Sequence, residues 1–366
     1  MHKHSLDSQG STDGMVDYDR NSSAQQSIIL TKDQQIRALV HQMPGGSGEF
    51  RIQDYGCGPG TSALTAVRPA IEAAREVSSE RPVTVCHGDQ PGNDWNALFA
   101  LVNGPVGYQS DIKGVRTEAS IGSFYEQMAA EGSVDFATCF AASHWLQHAV
   151  RLDAPDTVWF ADLEGEARRE MDHIARHDWE LFLTLRAREL KPGGFLFVST
   201  LGSVPDASEA NGAAASGRGI YRALQVVAQS MADDGTLDSE VLKGFLFSLW
   251  FQTADEARSV IENSPELSSA FNVEKITVEP APENPDDFFG PLVSNPEEYA
   301  RTYTGYIRAF ADSTLRTQLF RPSAGTQEGE DALADEFFAR LNALYREHLS
   351  KYAFELWHLT VILQRR

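Results

Sequence analysis

The stretch DYGCGPGTSAL, Asp54 to Leu64, follows the apolar run FRI and opens into a helix-like pattern. An acid is followed by glycines at 56, 58 and 60. Alternating glycines between a strand and a helix allow positive φ and let backbone approach a ligand at a helix N-terminus. Around this point, EFRIQDYG, PVTVCHGD and SVDFATCF read as three parallel strands. A long amphipathic helix, roughly Glu166 to Leu190, meets Lys191-Pro192-Gly193-Gly194 and then the apolar strand FLFVSTLG. Proline cannot continue the helix, and glycine supplies the turn. Strands alternating with helices predict an α/β fold with a doubly wound, mainly parallel sheet.

The pattern changes after residue 202. SVPDASEANGAAASGRG, residues 203 to 219, is small and polar and reads as a mobile loop or lid hinge. IYRALQVVAQSMAD, TADEARSVIEN and PEEYARTYTGYIRAFADSTL read as helices, interrupted by the strand-like VEKITVEPAP. A charged amphipathic helix then leads to LWHLTVILQ, a strand expected to pair back onto the sheet. The division this predicts is a disordered leader (1–14), a ligand-binding core (15–202), a mainly helical cap with one sheet-completing strand (203–330), and a returning helix and strand (331–366).

Several classes fall away on composition. With 52 acidic against 31 basic residues the net charge is −21, which repels nucleic-acid phosphates and anionic lipid headgroups. No apolar run reaches the ~18 residues of a membrane span, and MHKHSLDSQGSTDG lacks the apolar stretch of a signal peptide. Three cysteines, Cys57, Cys86 and Cys139, make neither a disulfide framework nor a zinc site and suit a reducing cytosol.

A Walker A loop would need Gly-Lys-Ser/Thr, but Gly60 is followed by Thr61 and Ser62. A dinucleotide fingerprint would need glycine where Thr61 stands. What is left is Gly-x-Gly-x-Gly, suited to a carboxylate at a helix N-terminus. S-Adenosylmethionine (SAM) has a carboxylate, a ribose and a sulfonium but no phosphate. Asp89, ending the second strand, is placed for ribose hydroxyls, and Asp54 for the methionine amino group. The bland alternative is a tight turn that binds nothing.

Further segments follow in order: YDRNSSAQQSII (Tyr18–Ile29), GDQPGNDWNALF (Gly88–Phe99), IGSFYEQM (Ile121–Met128), AASHWLQ (Ala141–Gln147) and ELKPGGFLFVSTLG (Glu189–Gly202). Together they resemble the SABATH family of SAM-dependent carboxyl methyltransferases, best known from plants, with microbial relatives. The resemblance runs from about residue 15 to the end. It implies a Rossmann-like class I SAM-dependent methyltransferase core under an α-helical cap, in a cytoplasmic homodimer. Tyr18, Ser22 and Gln25 would reach the cofactor, with Gln25 also facing the substrate carboxylate. Asp54, Gly56 and Cys57 would line the methionine end, Asp89 the ribose, and Ser123 and Phe124 the adenine, with Ser62, Gln90 and Phe140 also in contact with the cofactor. His144, Trp145, Tyr221 and Ile307 would line the substrate pocket. Ser62 stands where the family often has asparagine, and Gln90 where it has an apolar residue. Some members bind magnesium through Asp-x-Phe-Asn; LKGFLFS (Leu242–Ser248) has neither acid nor amide, so no metal is expected. The usual Asn-Gly-Gly leader is replaced by STDGMVD.

A carboxylic acid with a pKa near ~4 is ionised at neutral pH, so its methylation needs no general base. The task is to hold an oxygen about 3 Å from the methyl carbon, in line with the leaving sulfur, and to exclude water. The Gln25 amide and Trp145 indole N–H are donors that neither compete as nucleophiles nor take a proton. The expected acceptor is a small aromatic acid. Arg218 and Arg222 flank Tyr221 at the start of a cap helix, so either Arg222 grips a second carboxylate of a dicarboxylic acid or these are surface arginines of an amphipathic helix. The rival readings are a SAM-dependent methyltransferase for nitrogen or a phenol, the latter with His144 as base, and a non-catalytic SAM-binding module.

Overall fold

The computed structural model describes residues 29–280 and 292–366, except 47, 350, 353 and 354. Tyr18, Ser22, Gln25 and the expected leader lie outside the described residues. Five strands run in parallel: β1 (Phe50–Tyr55), β2 (Val83–Asp89), β3 (Val115–Ile121), β4 (Val134–Phe140) and β5 (Leu190–Leu201). Two more, β8 (Phe271–Pro280) and β9 (Trp357–Arg365), complete a sheet of order β3-β2-β1-β4-β5-β9-β8, with β9 antiparallel to both its neighbours. LWHLTVILQ thus does pair back, into the sheet interior. Every residue of β2 and β4 is buried, as expected of strands covered on both faces.

On one face pack α1 (Asp33–Gln42), α2 (Thr61–Val77) and α3 (Trp95–Asn103), through Ile36, Ala66, Ile71 and Leu98 onto Phe50, Ile52 and Phe136. The other face carries α4 (Gly165–Glu189) and α6 (Ala254–Asn263), whose Trp179, Phe182 and Ile261 meet Tyr55, Leu196 and Val361. Between them in sequence, α5 (Arg218–Asp233) joins α7 (Pro296–Leu315), α8 (Gln327–Glu347) and the aromatic run 245–251 in a separate apolar core. Among the described residues no helix is long and apolar enough to cross a membrane.

Two features differ from expectation. The third strand is Val115–Ile121, VRTEASI, which is half exposed at the sheet edge and so carries little apolar signal. Residues 203–219 are no mobile loop: β6 (Ser203–Pro205) and β7 (Ala213–Ala215) pair antiparallel. Asn211 donates to the carbonyls of Ala161 and Leu163 (2.8 and 2.9 Å), and Ser216 Oγ to those of Gly202 and Trp357 (2.9 and 2.6 Å). Small residues stand here because the strands are packed in; Ala214 and Ala215 are buried.

The sheet order reverses between β1 and β4. In doubly wound sheets the ligand crevice opens beyond the carboxyl ends of the strands at such a switch.

Candidate active site

Past Tyr55 the chain turns through Gly56 (φ 76°), Gly58 (55°) and Gly60 (119°) into α2. A Cβ on Gly56 would lie 2.3 Å from the Ala142 methyl, and one on Gly60 2.9 Å from Leu98 Cδ1. Only glycine fits either place. The amides of Gly56 and Cys57 donate to the Gly88 carbonyl (2.8 and 3.2 Å), and that of Gly58 to Asp89 Oδ2 (2.7 Å). Asn93, in the GDQPGNDW segment, donates to the Gly58 carbonyl (2.8 Å). The loop is thereby drawn onto the end of β2. Asp89 Oδ1 accepts from the Gln90 amide (2.7 Å), which orients the carboxylate at the same rim beside half-exposed Gln90.

Ser62 Oγ, in the first turn of α2, is buried without a hydrogen-bond partner among the described residues, and is available to a ligand bound at this helix start. Cys57 is buried, and burial pushes its thiol well up, so it stays protonated and packs rather than reacts.

Asp54 is committed inward. Thr138 Oγ1 donates to its Oδ1 (2.7 Å) and His87 Nδ1 lies 3.2 Å from its Oδ2. His87 Nε2 in turn lies 3.0 Å from the Tyr108 hydroxyl, itself 3.0 Å from Thr117 Oγ1. This chain of polar contacts crosses β4, β1, β2 and β3 beneath the loop and braces it. A reading of Asp54 from its motif position alone misses these partners.

At the end of β4, Ala141 has φ 54°, the one non-glycine among the described residues with positive φ. That conformation costs an L-residue about 1 kcal/mol and turns the chain sharply toward His144 and Trp145. The Trp145 amide closes the turn on the Ala142 carbonyl (3.0 Å), its own carbonyl accepts from Tyr125 Oη (2.6 Å), and its backbone bridges to Leu249. No described residue accepts its indole N–H. His144 Nδ1 lies 2.8 Å from Thr200 Oγ1, and burial lowers the imidazole pKa to about 3. It is neutral at physiological pH and a poor base.

Beyond His144 stands a set of aromatic rings. Phe251 meets His144 (5.4 Å) and Phe160 (5.5 Å), and Tyr221 stacks on Trp159 at 5.0 Å and 13°. Ile307 is fully buried in the same core, so both expected pocket residues on α5 and α7 join it. Trp159 and Phe251 went unnoticed in the sequence, where aromatic residues near a sheet look like ordinary core. Phe140 is packed edge-on against Phe197 (5.2 Å) at the end of β4. Ser123 Oγ accepts from the Tyr125 amide (3.1 Å), and the Phe124 ring lies 4.8 Å from that of Tyr125.

Arg222 does not serve the pocket as expected. Its Nε and Nη2 donate to Asp162 (3.0 and 2.7 Å) and Nη2 also to Glu209 (2.7 Å). Arg218 is held by Glu355, Glu209 and Asp206. Each guanidinium is neutralised by acids that lie far from it in sequence, and the pair pins the β6–β7 connection to α5. Among the described residues no group of three or more His, Cys, Asp or Glu side chains is arranged to hold a metal ion.

Sheet order, glycine loop and rim carboxylate together define a Rossmann-like fold with a ligand crevice at the β1–β4 switch. A family described as SAM dependent carboxyl methyltransferase matches residues 4–366, and the chain belongs to that family, the SABATH methyltransferases. It is 24% identical over 335 residues to gibberellic acid methyltransferase 2 of Arabidopsis thaliana, covering 86% of this chain and 80% of that one. Jasmonate O-methyltransferase of the same plant is 25% identical over 378 residues, with 92% of each covered. A solved loganic acid methyltransferase with SAH (S-adenosylhomocysteine) shares the fold at a TM-score of 0.76 and 20% identity, over 98% of both chains.

Proposed function

We propose that the protein methylates the carboxylate of a small monocarboxylic acid with a flat, largely apolar body, releasing its methyl ester. The observation that carries this reading is the Trp145 indole N–H, which no described residue accepts, just past the carboxyl end of β4 and beside a His144 too weakly basic to deprotonate an acceptor. An acceptor already ionised at neutral pH suits such a site, whereas a phenol does not. The gathered rings of Phe251, Phe160, Trp159 and Tyr221 favour a flat apolar body. Arg218 and Arg222 are both paired with acids, so neither is free to grip a second carboxylate, and the dicarboxylic reading that rested on them is dropped.

When bound, SAM supplies an electrophilic methyl group on a sulfonium. Asp89 would hold the ribose hydroxyls, the N-terminal turn of α2 with Ser62 the methionine end, and Ser123 and Phe124 the adenine; the family resemblance adds Tyr18, Ser22 and Gln25. Trp145, with Gln25, orients one carboxylate oxygen without taking a proton from it. The buried aromatic rings keep water out, which strengthens those contacts. The three cysteines are free and buried, in keeping with a reducing cytosol, and family resemblance favours a homodimer and the core-and-cap division at residue 202.

The test is incubation with methyl-labelled SAM and a panel of benzoic, furoic, indole-acetic, cinnamic and aliphatic mono- and diacids, read by mass spectrometry. A labelled monomethyl ester of a flat acid is the expected product. Labelled N-methyl or aryl ether products with no ester from any acid would defeat the reading.

A further inference from the structure

The ion pair of Arg186 and Glu189 lies near the end of α4, and both residues are wholly excluded from solvent. Buried ion pairs are weak evidence of stability, since desolvation offsets their attraction. This one is saturated. Glu189 Oε1 accepts from the amides of Met128 and Ala129 (2.6 and 3.0 Å) and from Arg186 Nη2 (3.1 Å). Its Oε2 accepts from Arg186 Nε (2.7 Å) and from the Tyr55 hydroxyl. Arg186 spends its other donors on the carbonyls of Phe124 (2.7 Å) and Glu126 (3.0 Å), and its guanidinium lies 4.0 Å from the Tyr55 ring centroid.

Among the described residues, the hydrogen bonds that these two side chains make beyond each other go to two segments. One is residues 124–129, directly after β3; the other is Tyr55, the last residue before the glycine loop. The first begins at the cofactor rim, because the Gly122 amide donates to the Asp89 carbonyl (2.9 Å). Residues 124–129 form no helix or strand of their own. Local bonds help hold their backbone, with Ser120 Oγ donating to the Met128 carbonyl (3.0 Å) and the Glu126 amide to the Ser123 carbonyl (2.9 Å). Four of its groups, however, are fixed by one arginine and one glutamate reaching up from α4.

We propose that Arg186 and Glu189 are positioning residues for the adenine end of the SAM pocket, setting cofactor affinity by fixing the Phe124–Ala129 backbone. The assignment rests on the reading that Ser123 and Phe124 flank the adenine. Arginine is required because its planar fork reaches the carboxylate and two carbonyls at once, which a lysine ammonium cannot span.

Arg186→Lys keeps the charge and loses the fork. Calorimetric titration with SAH, and separately with adenosine, should show about tenfold weaker binding of both. KM for SAM should rise in proportion while KM for the acid stays in place. Should the lysine variant not fold, Tyr55→Phe removes one bond to Glu189, and the rise in melting temperature produced by saturating SAH should be smaller than in wild type. A merely structural role would lower the melting temperature of the free protein and leave both SAH-dependent readouts unmoved; that overturns the proposal. A loss confined to SAH, with adenosine unaffected, overturns it as well. Wild-type titration in the same series separates these outcomes from failure of the cofactor reading itself.

Discussion

Gly56 and Ala142 touch across the crevice: a side-chain carbon on Gly56 would stand 2.3 Å from the Ala142 methyl. The cofactor loop after β1 and the turn after β4 that presents His144 and Trp145 are thus in mutual contact. Displacing one displaces the other.

Gly56→Ala should damage both sides at once. The new methyl meets Ala142, and φ 76° is strained for alanine. Overpacking of this kind costs about 1–3 kcal/mol. Thermal melting should show that loss, and SAH affinity should fall by about an order of magnitude. Ala142→Gly in the same chain should restore part of it; no recovery in the double variant would mean that the contact is not the cause.

Trp145→Phe keeps a ring at the crevice and deletes the N–H. If the indole orients the acceptor carboxylate, kcat/KM for the acid should drop about 10–100-fold, the weight of one hydrogen bond to a charged group. SAH affinity should not change. An unaltered kcat/KM would leave Trp145 as packing alone.

Arg222→Ala should leave the preference between mono- and dicarboxylic acids untouched, because its guanidinium already serves Asp162 and Glu209. The side chain is 40% exposed, so the stability loss should be no more than about 1 kcal/mol. A selective loss of diacid turnover would contradict the pairing described above.

Acid should weaken the fold partly through two histidines. Burial holds His144 and His358 at about 3, with Lys32 adding to the effect on His358, whereas exposed imidazole titrates near ~6.5. Between those values the unfolded chain binds more protons than the folded one. Their contribution is whole above about pH 6.5 and drains away as pH falls toward 3, at up to about 1.4 kcal/mol per unit for each residue. His358→Gln should flatten the fall measured by urea unfolding at pH 7.5, 6 and 5. Parallel curves for the two proteins would disprove it.

How far the sequence speaks depends on whether the signal is local. The glycine loop, Asp89 and the end of α4 are legible because each sits in a short stretch with its own chemistry, although residues 191–194 fall inside β5, not ahead of it. LTVILQ reads as a strand from its β-branched and apolar residues, Thr360 to Leu363. VRTEASI does not, since an edge strand with a wet face needs few apolar residues. The β6–β7 pair looks mobile for the reason that makes it tight: its alanines are small so that they can be buried. Arg222 misleads most, since the acids that claim it lie about sixty and thirteen residues away and no spacing rule joins them. The Arg186–Glu189 pair is likewise invisible, its partners being backbone atoms some sixty residues upstream.

The placement of β9 bears on how the chain is made. Residues 357–365 lie between β5 and β8, with Val361 and Leu363 fully buried, so Phe195 has its cross-strand neighbour in Gln364. During vectorial synthesis β5 leaves the ribosome long before β9 exists. Until then the β5 edge that carries Phe195 and Phe197 is left unpaired and faces solvent. Chains stalled ahead of residue 357 should therefore exchange their β5 amides freely and bind holdase chaperones, and completed chains should do neither.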